Sequence, residues 1–347
     1  MPAVSERVLS RRELNRAVLA RQHLLERARG TIPATLERVG GIQAQYAPSM
    51  YVGLWSRLEG LTRASLTEAL ERRAVVQATL MRATIHLVSR GDYWPFAVAT
   101  RQARRRLWVR SRPGVAGDDE MREAATRLGE QLSDGTITRA EVEAVVGKER
   151  AAGVGLWIDL VRAPPSGTWE RRRADLFASA EDWLGTPAVE TEEAVAHLVG
   201  RYLRAFGPAT RAEAADWAGL PIGDVTRALD GVRLRRFCGE AGEELVDLPR
   251  APLPDPETPA PPRFLPTWDA ALLVHCRRAG VLPEEYRPRI FATRTPASVP
   301  TFLVDGAVAG TWRHEGGRIA IEPFGRLDAA ARRALDEEAE RLAAFHA

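Results

Sequence analysis

The sequence predicts an α+β fold in which three tandem winged-helix units precede a C-terminal β-rich region with a β-hairpin and a terminal helix. Near the N-terminus, segments of helical periodicity lead into an alternating, β-branched segment, which is the order of a winged helix. The same order recurs twice further along the chain. A proline-rich segment then separates these units from a region of alternating strands.

The first unit is assigned to residues 1–98. A helix is expected to end at the double glycine 40–41, because glycine is favoured just past a helix C-terminus. Ser65 followed by Glu68 predicts a capping box that opens a later helix. Residues 75–89, VVQATLMRATIHLVS, then alternate and are rich in β-branched side chains, which predicts a two-stranded ribbon.

The second and third units are assigned to residues 99–188 and 189–250. Each is expected to contain three helices and a wing, and DGTITRAEVEAVVG in the second aligns with FGPATRAEAADWAGL in the third. The helices of the second unit are expected over 117–132, 133–147 and 153–163, with a wing over 168–180. Those of the third unit are expected over 191–206, 207–220 and 221–230, with a wing over 232–248.

The last region is assigned to residues 251–347. It opens with APLPDPETPAPPRFLP, whose many prolines predict an extended linker. Asp305-Gly306 and Gly316-Gly317 then punctuate alternating segments, which predicts hairpins. The segment LDAAARRALDEEAERLAAF predicts a closing helix with Arg and Glu at supporting spacings.

Composition sets limits on the class of protein. Hydrophobic residues make up 45% of the 347 residues, so disorder of the whole chain is excluded. Cys238 and Cys276 are too few for a disulfide framework, and the adjacent His275 and Cys276 are poorly spaced for a metal site. No metal or cofactor is expected. The sequence shows neither an apolar leader nor a membrane span, so a cytoplasmic protein is expected. We also expect it to be a monomer that associates with the nucleoid.

The basic residues are almost all arginine, since Lys148 is the only lysine. A GC-rich genome would produce this bias through codon usage alone, but arginine is also suited to paired contacts with phosphate. One cluster, either a solvated face or a DNA contact, comprises Arg101, Arg104, Arg105, Arg106, Arg110 and Arg112. Two further clusters fall in the expected wings, where phosphate contacts are expected: Arg171, Arg172 and Arg173, and Arg233, Arg235 and Arg236.

Gln43 and Gln45 lie in a short connection between two expected helices. In an extended segment, side chains two residues apart point the same way, so both amides can converge while Ala44 turns away. Spacing alone also permits two solvated loop glutamines. The choice between these readings depends on the wider sequence.

The stretch RVGGIQAQYAPSMYVGLWSRL resembles the AlkZ family of DNA glycosylases, which carry a Gln–hydrophobic–Gln motif in this setting. The chain also resembles the wider YcaQ-like group of tandem winged-helix proteins. Further matching segments are ATIHLVSRGDYW, GPATRAEAADWAGL, RFLPTWDAALLVH and PTFLVDGAVAGTWR. They follow the family order and span nearly the whole chain.

The resemblance implies a DNA-binding concavity, removal of bulky alkylated purines from double-stranded DNA, and unhooking of interstrand crosslinks. It identifies Gln43 and Gln45 as the catalytic pair. A related subgroup has Asp at the second position, and Gln45 places this chain with the glutamine pair. An amide is no general base near neutral pH, but it orients water and stabilises an oxocarbenium-like transition state. N7-alkylated purines suit such a site because their glycosidic bond is already weakened.

Other residues are weaker candidates. The resemblance implies that a C-terminal hairpin engages DNA, and the ribbon around Trp312, with Arg313 and His314, is the best match. Sequence does not decide which of its two turns approaches the duplex. His86, in an apolar strand, and Asp269, in a matching segment, are possible supporting residues, although both also fit purely structural roles.

Two alternatives stay open at this point. A winged-helix transcription regulator would bind DNA without chemistry, usually as a dimer on paired half-sites. A family member without activity would bind lesions or act as a scaffold. Retention of both glutamines favours the enzyme.

Overall fold

The computed structural model describes residues 7–132, 135–273, 280–292 and 297–347. The residues considered above as a poor metal pair, His275 and Cys276, lie outside the described residues. No helix within the described ranges is long and apolar enough to cross a membrane.

The N-terminal part confirms the predicted helix end at 40–41 and the ribbon. Its elements are β1 (Val8–Leu9), α1 (Arg11–Arg21), α2 (Ile32–Val39), β2 (Ile42–Gln43), α3 (Ala47–Trp55), α4 (Arg63–Glu71), β3 (Val75–Thr79), β4 (Ile85–Ser89) and α5 (Arg90–Ser111). Strands β3 and β4 pair antiparallel.

The capping-box prediction was wrong in detail. Thr62 is the N-cap of α4, and Ser65, the third residue of the helix, accepts a hydrogen bond from the Thr62 amide. Helix α5 also runs through the expected boundary after residue 98, so no linker divides the chain there.

The next part contains α6 (Asp118–Leu132), β5 (Thr136–Thr138), α7 (Arg139–Val146), α8 (Lys148–Ala151), β6 (Leu160–Arg162), β7 (Leu176–Ser179) and α9 (Ala180–Leu184). The prediction of a helix over 153–163 was wrong, because β6 occupies the second half of this segment and pairs with β7. A short apolar run does not distinguish a strand from a helix. Gly153 also packs against Trp108 so closely that a Cβ there would lie 2.1 Å from the indole nitrogen.

The third part has the expected order of three helices and a hairpin. It comprises α10 (Thr191–Phe206), α11 (Arg211–Ala218), α12 (Ile222–Asp230), β8 (Arg235–Gly239) and β9 (Glu244–Asp247). Strands β8 and β9 pair antiparallel, and β1 joins β8 in parallel. The N-terminal segment is thereby tied to the third part of the chain.

The C-terminal part follows an irregular stretch over 251–262. It comprises β10 (Arg263–Leu265), α13 (Ala270–Leu273), α14 (Arg287–Ile290), β11 (Phe291–Ala292), β12 (Ala297–Ser298), β13 (Thr301–Val304), β14 (Ala307–Glu315), β15 (Arg318–Pro323) and α15 (Ala329–His346). The turns at Asp305-Gly306 and Gly316-Gly317 join β13 to β14 and β14 to β15, which confirms both predicted hairpins. The mixed helices, small sheets and terminal helix confirm the α+β class; the count of three winged-helix units stays a prediction.

A six-stranded sheet joins the first and second parts. Its strand order is β2-β4-β3-β6-β7-β5. One row of paired residues crosses all six strands: Gln43, His86, Ala78, Val161, Ala178 and Thr136. Side chains in one such row share a face of the sheet. The expected first and second units therefore share backbone hydrogen bonds instead of meeting only through side chains.

Candidate active site

The segment that carries the two glutamines is fixed at its start by a double-glycine turn. Gly40 ends α2 in the left-handed conformation, and Gly41 also has a φ of 78°. A Cβ at Gly41 would lie 2.9 Å from Val88 Cγ1, so only glycine fits without a shift. The chain then enters β2, and the Ala44 amide donates to the Ile85 carbonyl at 2.8 Å. The motif thus begins on the edge strand of the six-stranded sheet.

The two amides meet, as the extended-segment interpretation predicts. Gln43 Nε2 donates to Gln45 Oε1 at 2.5 Å. Ala44 turns the other way and is buried in the core that includes Leu87. Gln43 is 6% exposed, whereas Gln45 is exposed at the surface. The buried glutamine therefore orients the exposed one.

This bond leaves one acceptor and one donor group for a third molecule. Neither Gln43 Oε1 nor Gln45 Nε2 hydrogen-bonds another residue in the described ranges. A water held by such a pair would be oriented by a carbonyl oxygen and an NH₂ group without being deprotonated by either. The arrangement supports water positioning and dipole stabilisation of developing charge.

Gln45 lines a cavity of about 500 Å³ between β4, α5 and the β6–β7 pair. Trp108, Leu160 and Phe177 form apolar walls, and none of the described lining residues is a carboxylate. The buried Trp108 Nε1 has no hydrogen-bond partner among the described residues. The cavity beside the exposed amide therefore combines apolar walls with the guanidinium groups of Arg112, Arg139 and Arg162.

A cation is held in the same wall. Arg162 lies 3.3 Å from Thr79 Oγ1 through Nη2, and its guanidinium lies 5.8 Å from the centre of the Phe177 ring. Burial lowers the pKa of Arg162 to about 10, so the group stays charged at neutral pH. Arg162 was not predicted as a site residue, because the apolar run that contains it was expected to form a helix.

One wing arginine reaches the glutamine motif. Arg172 Nη1 donates to the hydroxyl of Tyr46 at 3.1 Å, and Tyr46 directly follows Gln45. Arg171 and Arg173 are also exposed, and both pair with Asp175. Of the three predicted DNA contacts in this loop, Arg172 is thus brought to the candidate site. Tyr46 was not predicted as a site residue. The signal that could have identified it is its position directly after Gln45.

The arginines of the third wing have different surroundings. Arg235 donates to the buried carboxylate of Asp247 at 2.6 Å, and Arg21 binds the same carboxylate. Arg235 therefore compensates a buried charge, and its role as a DNA contact stays a prediction. Arg236 pairs with exposed Glu244, while Arg233 is exposed.

The C-terminal hairpins differ in what surrounds their turns. Gly306 packs against α1, where a Cβ would lie 2.4 Å from Leu19 Cδ1. Gly316 and Gly317 are exposed, and a Cβ at either would meet nothing within 4 Å. The second turn is therefore the open one, which sequence left undecided.

Side chains near that open turn divide by face. Trp312 lies in β14 of the predicted ribbon, but its side chain is buried in the core and donates to the Leu265 carbonyl at 2.9 Å. Arg313 is exposed and pairs with Glu315. His314 is exposed and stacks on His346 with ring centres 4.4 Å apart.

Asp269 is occupied elsewhere. It accepts two hydrogen bonds from Arg57, at 2.8 and 2.9 Å, and both side chains are buried. It also accepts from the Ala271 amide at 3.0 Å. A carboxylate held in this way joins the turn after α3 to the C-terminal part, and its suggested support of catalysis stays a prediction.

His86 is paired in register with Gln43 but is buried and neutral. Burial lowers the pKa of His86 to about 3, and the positive charge of Arg82 adds to this effect. Its Nδ1 lies 3.0 Å from the Thr84 carbonyl. A neutral buried imidazole fits the structural role better than proton transfer at neutral pH.

This burial predicts a pH-dependent stability. The pKa of His86 is about 3 in the folded chain and about 6.5 when unfolded, so the unfolded state binds the proton first. The free energy of unfolding should fall as pH decreases below about 6.5, by about 1.4 kcal/mol per unit for this one site. Urea unfolding of wild type and His86→Asn at a series of pH values measures the difference. Equal pH dependence in the two proteins would contradict the assignment.

Comparison with known proteins decides the family. The family model described as "DNA glycosylase AlkZ-like" matches residues 36–345, which is most of the chain. The chain belongs to the AlkZ-like DNA glycosylase family. No match was found among the curated proteins compared.

A solved structure shares the fold of this AlkZ-like protein. The Streptomyces sahachiroi DNA glycosylase AlkZ superposes with a TM-score of 0.81 at 19% sequence identity, over 97% of each chain. This likeness shows the fold, whereas the family membership makes this chain a DNA glycosylase.

Proposed function

We propose that this AlkZ-like glycosylase hydrolyses the N-glycosidic bond of purines that are cationic through N7 alkylation, with Gln43 and Gln45 orienting the attacking water. The observation that carries the proposal is the 2.5 Å amide pair, which lies beside a cavity with no carboxylate among its described walls. A site of this kind has dipoles but no ready acid or base.

The chemistry of the substrate compensates for what the amides lack. A purine alkylated at N7 carries positive charge, so the bond to the sugar cleaves without protonation of the base. The amides stabilise the oxocarbenium-like transition state as fixed dipoles, and they hold water close to the sugar. Normal bases and uncharged lesions leave as anions and would need a proton that this pair does not supply.

The surroundings of the pair fit a bulky adduct. The cavity beside Gln45 has a volume of about 500 Å³ and apolar walls that include Trp108 and Phe177. An alkyl group or one arm of a crosslink can enter this space while the base stays near the duplex, so complete base flipping is not required. The exposed turn at Gly316-Gly317 and Arg313 are the proposed DNA contacts of the C-terminal hairpin.

The experiment uses a duplex with one N7-methylguanine, followed by alkaline cleavage of abasic sites. We expect strand breaks at the lesion with this substrate and none with an undamaged duplex or one containing uracil. Excision of uracil at a similar rate would contradict the requirement for a cationic base. Sequence-specific binding of undamaged DNA without any excision would instead support a transcription regulator.

A further inference from the structure

A second cavity adjoins the one beside Gln45 and is lined by arginines. Its volume is about 380 Å³, and Arg82, Arg104, Arg106 and Arg110 contribute to its walls. Leu107 lines both cavities. Arg82 comes from the turn between β3 and β4, and the other three come from α5. The Gly219–Pro221 turn between α11 and α12 completes the wall.

Most of the charge in this cavity has no carboxylate partner among the described residues. Arg104 pairs with Asp159 at 3.2 Å. Within the described ranges, no ion pair joins Arg82, Arg106 or Arg110 to a carboxylate, and no Asp or Glu lines the cavity. Burial lowers the pKa of Arg82 to about 10, which leaves it charged at neutral pH. A partly desolvated guanidinium without a counter-charge favours binding of an anion.

Both the backbone and the side chain of Arg82 are held in place by their surroundings. Its φ of 54° is left-handed, an unusual conformation for a residue other than glycine. Its Nη1 donates to the Trp217 carbonyl. A Cβ at Gly219 would lie 3.0 Å from the Arg82 backbone nitrogen, so the turn before α12 packs directly on it. Strained residues held by their surroundings occur preferentially at functional sites.

We propose that Arg82, Arg106 and Arg110 bind a backbone phosphate of the duplex next to the lesion. This inference rests on the proposed function only in taking DNA as the substrate. A phosphodiester fits because guanidinium groups bind phosphate oxygens in pairs and the cavity adjoins the space assigned to the adduct. A free phosphate ion would satisfy the same chemistry, so the test separates the two sources.

The test measures binding of full-length protein to an undamaged duplex by fluorescence anisotropy between about 50 and 200 mM salt. Because the three arginines share one phosphate, replacement of all three together should reduce the log–log salt slope by about 0.9, and each single replacement should reduce it by part of that amount. Arg82→Gln, Arg106→Gln and Arg110→Gln are compared with Arg72→Gln, whose exposed arginine pairs with Glu68. We expect a smaller slope for the cavity variants and an unchanged slope for the control.

The outcomes separate this inference from the proposed function, because the assay measures affinity for undamaged DNA and does not depend on excision. An unchanged slope in the Arg106 and Arg110 variants would overturn it, and these two exposed residues remain informative if Arg82→Gln fails to fold. A thermal stabilisation by inorganic phosphate that the variants lose, with their DNA salt slope unchanged, would assign the cavity to a free anion and also overturn it.

Discussion

Replacement of Gln45 by alanine is expected to lower the single-turnover rate of N7-methylguanine excision by about 10²–10³-fold. The exposed amide is the group that the buried Gln43 orients, and its NH₂ group is not engaged by another described residue. Its loss removes a positioned dipole from the transition state but leaves the DNA-binding surface intact. Excision under enzyme excess measures this step without product release.

The matched control is Gln102→Ala, which removes an exposed glutamine from α5. We expect wild-type excision from this variant and nearly wild-type duplex affinity from both. Gln43→Ala should also reduce excision strongly, because the remaining amide loses its partner. Excision that persists at the wild-type rate after loss of both amides would disprove water orientation by this pair.

Replacement of Asp269 by alanine is expected to lower the free energy of unfolding by about 3–5 kcal/mol. The change leaves the buried guanidinium of Arg57 without its two carboxylate bonds, which are 2.8 and 2.9 Å long. Urea unfolding followed by tryptophan fluorescence measures the loss. The excision rate per folded molecule should stay within a few-fold of wild type, because Asp269 lies outside the candidate site.

The double variant Arg57→Met with Asp269→Leu is the control for this effect. Removal of both charges avoids the uncompensated ion, so we expect the double variant to be more stable than Asp269→Ala. If it is instead the less stable of the two, packing and not charge compensation is the main role of the pair. A selective loss of excision in fully folded Asp269→Asn would return this residue to the catalytic site.

Local signals in the sequence predicted much of the fold. The double glycine at 40–41 and the glycine turns at 306 and 316–317 mark turns because few other residues adopt the required φ. The extended spacing predicted that Gln43 and Gln45 converge. The strand β6 escaped prediction because its partners, β3 and β7, decide its conformation, and three residues carry no periodicity of their own.

The electrostatic part of the site was less predictable. Arg235 and Arg82 are both arginines beside apolar residues, yet the first neutralises Asp247 and the second has no described carboxylate partner. Their difference depends on which elements the fold brings together over long sequence distances. Runs of arginine in the sequence therefore identified basic segments. They did not show which arginines form internal ion pairs and which have no carboxylate partner among the described residues.

The row of paired residues across the six-stranded sheet fixes the position of Gln43 independently of the loop that carries Arg172. Gln43 lies at one end of that row, and its register depends on hydrogen bonds that run through every strand to Thr136. A slip of one residue in β2 would turn the amide to the opposite face. The loop over 163–175, in contrast, lies outside the paired row and carries Arg172. We therefore expect substitutions in this loop to change the contact that Arg172 makes with Tyr46, beside Gln45, while the register of Gln43 stays unchanged.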